Sequence, residues 1–285
     1  MSLETTIANL VTAANNLTNA VNGKMTEIDA AVLAAVKAIP NLSKTLCVDA
    51  VAGSDAALGT DAAPLKTIAE AISRTASTPF VNIYLRAGQT HEYSGVSNDI
   101  PYRGVSNKIV FTKYGSGANP IFTPRVATSI SPSQTVLSNL HFLVLEGGSV
   151  FFRDTDILMP NALQPGTVAW NETFGVSLFS RAHGGSVPLQ GSVTMAMGNI
   201  TLGARNLFKS GYAGNYRVDI SNAVINASLS SLFADLTSAT MALAVYGVEV
   251  TNGKTWADLV RGVVKDPRGG LCNFMSNIGN QLAGA

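Results

Sequence analysis

Asp154 and Asp156 stand two residues apart, a separation that can place two carboxylates on one face of a strand. Paired carboxylates can divide the acid and base roles of glycoside hydrolysis. The same spacing suits a solvated pair in a loop or at a strand edge, and that plainer reading is adopted here. Glu146, Glu172, Asp219 and Glu249 are scattered, and none falls where it would align with another carboxylate. His91, His141 and His183 have no mutual spacing that suggests a metal site or a proton relay. His141 lies between Leu140 and Phe142, so alternation turns it outward if they point inward. Cys47 and Cys272 form neither a disulfide framework nor a zinc spacing and read as small apolar fillers. Gly115-Ser116-Gly117 is followed by no evident helix, so it reads as a turn and not a phosphate cradle. Trp170, Tyr102, Tyr212 and Tyr216 could stack on sugar rings, but as single aromatics in a β-rich chain they read as packing residues. No catalytic, cofactor-binding or metal-binding residue is assigned.

Composition narrows what holds these residues. Charged residues make up 13% of the 285, the formal net charge is +1, and there are 26 glycines. With polar content drawn mainly from Asn, Ser and Thr, this suits turns and short strands better than salt-bridged helices. No basic run is long enough to grip a phosphate backbone, so nucleic acid is not an expected partner. No stretch reaches the roughly 18 apolar residues of a membrane span, so no membrane insertion is expected. The first residues carry Glu4 and lack a basic stretch followed by an apolar block, so no secretory signal is expected. Together these features predict a soluble protein made in a cytoplasm.

Apolar residues at Leu3, Ile7, Leu10, Ala14, Leu17 and Val21 recur in steps of 4, 3, 4, 3 and 4. That is a heptad seam, and it predicts a coiled-coil-like helical stem over residues 1–40. Lys24 breaks the frame beside Gly23, and the stripe resumes at Met25, Ile28, Val32, Val36 and Ile39. The four-residue step from Val21 to Met25 is a stutter, which locally unwinds a supercoil. Ser2 suits the start as a cap, and Pro40 suits the end. Flanking positions hold Asn, Thr and Ala, so the helix is marginal in water without partners. One arrangement folds it back on its own domain. The continuity of the stripe favours the other, self-association through Leu3, Ile7, Leu10, Leu17, Val21, Met25, Ile28 and Val32. β-branched residues at a with Leu at d lean towards two strands in isolation, so three copies would have to be argued from elsewhere.

Residues 41–79 are expected to hold a short linker, over 41–46, and a capping helix. Gly53, Gly59 and the neighbouring Asp and Ser residues read as turns, and Pro64 sits where a first helical residue would. Leu65, Ile68 and Ile72 would share a helical face. After Pro79 the run Val81-Asn82-Ile83-Tyr84-Leu85 reads as a strand. Val48-Asp49, Gly53-Ser54-Asp55, Gly59-Thr60, Ala63-Pro64-Leu65-Lys66-Thr67-Ile68 and Ile83-Tyr84-Leu85-Arg86-Ala87-Gly88 together resemble the N-terminal opening of pectin-lyase-like right-handed β-helix proteins. In that family the short helix caps the open end of the coil. Thr78-Pro79-Phe80 departs from the Gly-Asp pair that the family often carries before the strand.

An internal repeat gives an independent reading. Val193, Val218 and Leu243 are 25 apart, as are Met195, Ile220 and Val245, and Ile200, Ile225 and Val250. Gly198, Ala223 and Val248 share the step, and Leu207, Leu232 and Ala257 continue it more weakly. Apolar alternation means strands with one face inward, and a fixed period in the twenties means a solenoid. Neither leucine-rich nor helical repeats fit, which leaves a parallel β-helix over 80–253 with room for about seven turns at this period. Ile109-Val110-Phe111 and Phe151-Phe152 are further strands. Thr135–Phe142 resembles the corner at Ile220–Ile225, and residues 160–190 are expected to hold lateral loops. Residues 254–285 would form a C-terminal cap or docking tail. In it, Thr255-Trp256-Ala257-Asp258 opens a helix to about Val264, and Leu271, Phe274, Met275, Ile278 and Leu282 mark a second.

A heptad stem joined to a β-helix resembles bacteriophage tail fibres and tailspikes, and Gly23-Lys24-Met25-Thr26-Glu27-Ile28-Asp29 is similar to an element of tail-fibre N-termini. The resemblance implies a homotrimer, located in the virion and assembled in the host cytoplasm. It implies a structural fibre, receptor-binding body or connector that contacts other tail or baseplate proteins and mediates host attachment, with host surface polysaccharide as a further partner. No cofactor is expected. The alternative within the same resemblance is a tailspike depolymerase cleaving capsule or lipopolysaccharide.

Overall fold

The computed structural model describes residues 2–95, 102–130, 136–140, 142–145, 147–160, 168–169, 177–180, 189–203, 205–209, 214–227, 232–237, 239–265 and 270–278. The chain divides into two compact units, Met1–Ser43 and Lys44–Ala285.

The first unit is one helix, α1 (Leu3–Leu42). The Ser2 hydroxyl accepts from the Thr5 amide at 3.3 Å and caps it as expected. Thr12, Thr18 and Thr26 return their hydroxyl protons to the carbonyls four residues back. Pro40 does not end α1, which runs two residues further to Leu42, because proline's fixed φ lies in the helical range. The expected linker over 41–46 is absent. Ser43 turns extended (φ −142°, ψ 137°) and opens strand β1 (Ser43–Val48) directly.

The second unit is mainly β. Its short helix α2 (Ile68–Ser73) is capped by Thr67 and so begins four residues after the expected first helical residue, Pro64. Leu65 is held extended instead, because it exchanges backbone hydrogen bonds with Cys47 and Asp49 at 2.9 and 2.8 Å. The Asp55 carboxylate accepts from the Lys66 and Thr67 amides, which fixes the cap. Leu65, Ile68 and Ile72 are all buried as expected, though only two of them are helical.

One 12-stranded sheet dominates. Its first ladder runs β1, β2 (Phe80–Arg86), β5 (Lys108–Tyr114), β10 (Ser149–Arg153), β14 (Leu189–Ala196), β17 (Gly214–Asn226), β19 (Ala239–Val250) and β21 (Phe274–Ser276). A second ladder runs β3 (Thr90–Tyr93), β6 (Ile121–Pro124), β11 (Asp156–Leu158) and β15 (Asn199–Thr201), then joins the far half of β17. From β2 onward the first ladder is parallel throughout, as is the second. The long strands β17 and β19 pass through both ladders, so the sheet curls. A separate six-stranded parallel ladder holds β4 (Tyr102–Val105), β9 (Phe142–Leu145), β13 (Ser177–Ser180), β16 (Asn206–Lys209), β18 (Ala234–Asp235) and β20 (Val260–Arg261).

The 25-residue repeat is the hydrogen-bond register itself. Val193 pairs with Val218 and Val218 with Leu243, while Ile200 pairs with Ile225 and Ile225 with Val250. Like side chains therefore stack in columns. One column is Ile83, Phe111, Phe152, Met195, Ile220 and Val245, with the Phe111 and Phe152 rings stacked at 5.1 Å. The corner between the first two ladders is also in register. Asp154, Met197, Asn222 and Gly247 follow the paired residues Arg153, Ala196, Ser221 and Tyr246, and all have positive φ, from 49° to 59°. A single left-handed residue turns the chain at each corner.

Four expectations fail for local reasons. Among the described residues, six strands of the first ladder fall within 80–253, not seven, because Ile109 pairs 41 residues on with Val150, and Val150 pairs 43 on with Val193. In the third ladder the step is 26, so Phe208 pairs with Ala234 and Ala234 with Val260, which displaces the expected series Leu207, Leu232 and Ala257. Val136–Leu140 is not a corner. It is strand β8, antiparallel to β7 (Val126–Ile130) in a three-stranded sheet with β12 (Val168–Ala169). Residues 160–190 are not only loop, since Leu178 and Phe179 of β13 are fully buried and pair into the third ladder.

At the C-terminus, helix α3 (Trp256–Leu259) starts where expected but stops early, because Val260 pairs with Ala234. Phe274 and Ile278 are buried while Met275 is 73% exposed, and Met241 pairs with Phe274. Phe274–Ser276 is therefore a strand and not a helix, and Leu282 lies outside the described residues.

Candidate functional site

The eight residues assigned to self-association all lie on α1 and are at least half exposed, from 50% at Val21 to 77% at Leu3. Val11 and Leu33 flank them and are equally open. From Leu3 to Val32 the steps average close to 3.6, so the stripe keeps to one face of a regular helix. Among the described residues, no helix is long and apolar enough to cross a membrane.

Among the described residues, the carboxylates weighed for catalysis do not converge. Asp154 is a left-handed corner residue, whereas Asp156 opens β11, so they share no strand face. Nor is Asp156 simply solvated. Its Oδ1 accepts from the Asn199 amide at 2.8 Å and the Asn119 side chain at 3.2 Å, tying neighbouring turns together. Asp219 faces outward and pairs with Arg217 at 3.4 Å. Glu249 is exposed, and Asn199 and Val224 stand between it and Asp156 along the outer column of the second ladder. Three strand spacings put these two acids roughly 14 Å apart, beyond either glycosidase separation. Glu146, Glu172, His141, His183, Trp170 and Tyr212, like the side chain of Tyr102, lie outside the described residues. Tyr216 is buried against Phe208, a packing residue as expected. Cys47 is a buried filler whose thiol is pushed up by burial, but Cys272 is exposed. Gly115 and Gly117 both have positive φ, consistent with a turn. No cluster of three or more His, Cys, Asp or Glu fit to hold a metal occurs among the described residues.

The burial of three polar groups in the second unit escaped the sequence reading. Asp49 is buried in the first turn. Its Oδ1 accepts from the Val51 and Ala52 amides and from the Gln89 side chain. Burial alone would raise its pKa, but these donors and the nearby Arg86 outweigh it and hold the carboxyl below its usual range. Asp235, 2% exposed, sits between Lys209 and Arg261 at 3.7 and 2.8 Å and accepts from the Thr237 hydroxyl at 2.6 Å. Here too burial pushes upward and the hydrogen bonds and Arg261 prevail, so its pKa is lowered. The signal was present, since Lys209, Asp235 and Arg261 follow one another at steps of 26. His91, 1% exposed, occupies the first place of an inward column continued by Phe122, Ile157, Ile200 and Ile225.

An open groove of about 730 Å³ crosses the outer face of the first ladder, lined by Gly148, Ser149, Ser192, Asn215, Arg217 and Met275 among others. It offers hydroxyls, amides and one guanidinium.

No family model matches this chain, and no curated protein matches it. Among solved structures it is similar to the GH136 lacto-N-biosidase from Eubacterium ramulus, with a TM-score of 0.45 and 12% identity over 72% of this chain. The chain spans 40% of that protein's length. A likeness at this level assigns neither a family nor an activity.

Proposed function

We propose that this chain is a non-enzymatic structural component of a bacteriophage tail, a fibre, receptor-binding body or connector that helps attach the virion to its host. In this reading the second unit is a right-handed parallel β-helix and α1 is an oligomerising stem, most simply of a homotrimer. Strands 25 residues apart lying side by side in parallel are what such a coil requires. The observation that carries the reading is the stem, whose eight apolar contact residues are all open to a partner. Other tail or baseplate proteins would engage the ends, and host surface polysaccharide would lie in the groove over the first ladder. The structural duties of Asp156, Asp219 and Asp235 support the non-enzymatic side of the proposal.

Light scattering of the full chain beside a chain lacking residues 1–42 tests the stem. The full chain is expected to run as an oligomer and the truncated chain as a smaller species. A monomer in both cases overturns the stem's role. Tail and baseplate genes are expected on either side of the coding region, and a neighbourhood of unrelated genes would count against the virion. Release of reducing ends or unsaturated uronates from capsule or lipopolysaccharide would favour the depolymerase instead.

A further inference from the structure

His91 is an unusual tenant of an apolar column. It lies on β3, pairs with the fully buried Phe122, and is itself buried. Its Nε2 stands 3.1 Å from the Arg86 carbonyl oxygen. A carbonyl only accepts, so Nε2 carries the proton and Nδ1 is a bare acceptor. That Nδ1 is buried and has no hydrogen-bond partner among the described residues. The neutral ring leaves one lone pair unsatisfied, whereas the protonated ring places a cation and an unpaired N–H in the interior.

We propose that His91 is an acid-sensitive latch on the first turn of the second unit, so that protonation of its ring opens residues 44–93 while the later turns stay closed. This inference stands apart from the tail reading and holds whatever the chain attaches to.

Among the described residues, no surrounding group hydrogen-bonds the ring at Nδ1. Asp49 is the carboxylate that acts on the ring through space, but its Oδ1 is committed to Val51, Ala52 and Gln89. Arg86 on β2 offers its carbonyl, and its guanidinium lies 5.3 Å over the Tyr114 ring. Tyr114 on β5 is pushed up to about 12 by burial first and by Asp49 next, so it stays neutral. Burial raises the Cys47 thiol in the same way. On α2, Glu70 and Arg74 are paired with each other at 2.7 Å. Glu92, beside His91 on β3, faces outward toward Arg125 at 3.8 Å. The net effect is a His91 pKa below its usual value. Burial is the main cause, partly opposed by the Arg86 carbonyl and Asp49.

The sign follows from linkage. An opened ring binds its proton near pH 6.5, and the closed ring binds it only at lower pH. Acid therefore favours the open form as pH falls below about 6.5, by up to tenfold per pH unit until the closed ring also titrates. Asp49 protonates below the ordinary carboxylate range, so it does not titrate between pH 6.5 and about 5, and within that window the His91→Phe comparison assigns the change to His91.

Hydrogen exchange of the full chain across that window, corrected for intrinsic rates, tests the latch in the wild type and His91→Phe. The wild-type opening constant for residues 44–93 is expected to climb by up to tenfold per pH unit, with little change over 214–250. His91→Phe, which continues the column with an aromatic ring, is expected to stay flat. Equal slopes in the two proteins, or one slope over the whole chain, overturn the proposal. Should His91→Phe fail to fold, NMR titration of the wild-type imidazole decides. A ring in the Nε2–H form that stays neutral well below pH 6.5 upholds the latch, and one that titrates at its ordinary value sinks it.

Discussion

The two units handle the same material in opposite ways. In the second, Val81, Ile109, Val150, Val193, Val218 and Leu243 stand in one column and are each 2% exposed or less. In the first, Leu3, Ile7, Leu10 and Leu17 are as apolar and are left open. In the curled parallel sheet the strands lie side by side in register, so each supplies the surface that covers its neighbour. A lone helix has only one apolar face and nothing of its own to fold over it. Core substitutions in the second unit should therefore cost stability regardless of protein concentration. Stem substitutions should change mass and leave the sheet intact.

The largest break expected is Phe152→Ala, which removes a ring packed against Phe111, Phe122 and Phe179. It should cost about 3–5 kcal/mol in denaturant unfolding of a chain lacking the stem, and less than 1 kcal/mol would refute the column as the main stabiliser. Gly198→Ala comes next. A Cβ there would lie 2.2 Å from the Thr155 carbonyl oxygen, backbone that cannot swing away. The expected loss is about 3 kcal/mol, read from the same curves.

Asp235→Ala leaves Lys209 and Arg261 facing one another without their shared acid. Because Arg261 is largely solvated, the loss should be nearer 1–2 kcal/mol than the full cost of a buried unpaired charge. It should also flatten part of the acid limb. The folded-state pKa of Asp235 is lowered, so its contribution is present above pH 3.8 and fades as pH falls through the folded value. A variant with an unchanged acid limb would remove Asp235 from that account.

The sharpest contrast is the double change Leu10→Asp with Ile28→Asp. Both side chains are more than half exposed, so the melting temperature of the second unit should stay within about a degree while light scattering reports a smaller species. Parallel loss of both properties would show that the units are not separable. Smallest is Met197→Gly, at a corner where φ is 57°. Relief of the left-handed strain should stabilise the second unit by about 0.5 kcal/mol.

What could be read along the chain was whatever repeats or caps locally. The step of 25 showed in Val193, Val218 and Leu243 because identical register demands like residues at like places. Ser2 and Thr255-Trp256-Ala257-Asp258 announced helix starts, since capping is decided within four residues. Pro64 misled because its neighbour Leu65 is claimed by Cys47 and Asp49, a pairing across sixteen residues. The third ladder was misread by one residue, and a slip of one reverses which side chains point inward. The pairs β7–β8 and β9–β13 could not be found by period at all, because the turns that contain them are 41 and 43 residues long.

Sequence alone settled the periodicities, a heptad stripe with one stutter in the first forty residues and a step of 25 over 193–250, since these are properties of order along the chain. Only the tertiary structure decided which polar residues were taken inside. His91, Asp49 and Asp235 carry no local mark of burial, and their surroundings arrive from Phe122, Gln89 and Lys209, each at least 26 residues away. Charge and hydrogen bonding depend on distance in space, and that distance exists only once the strands have paired.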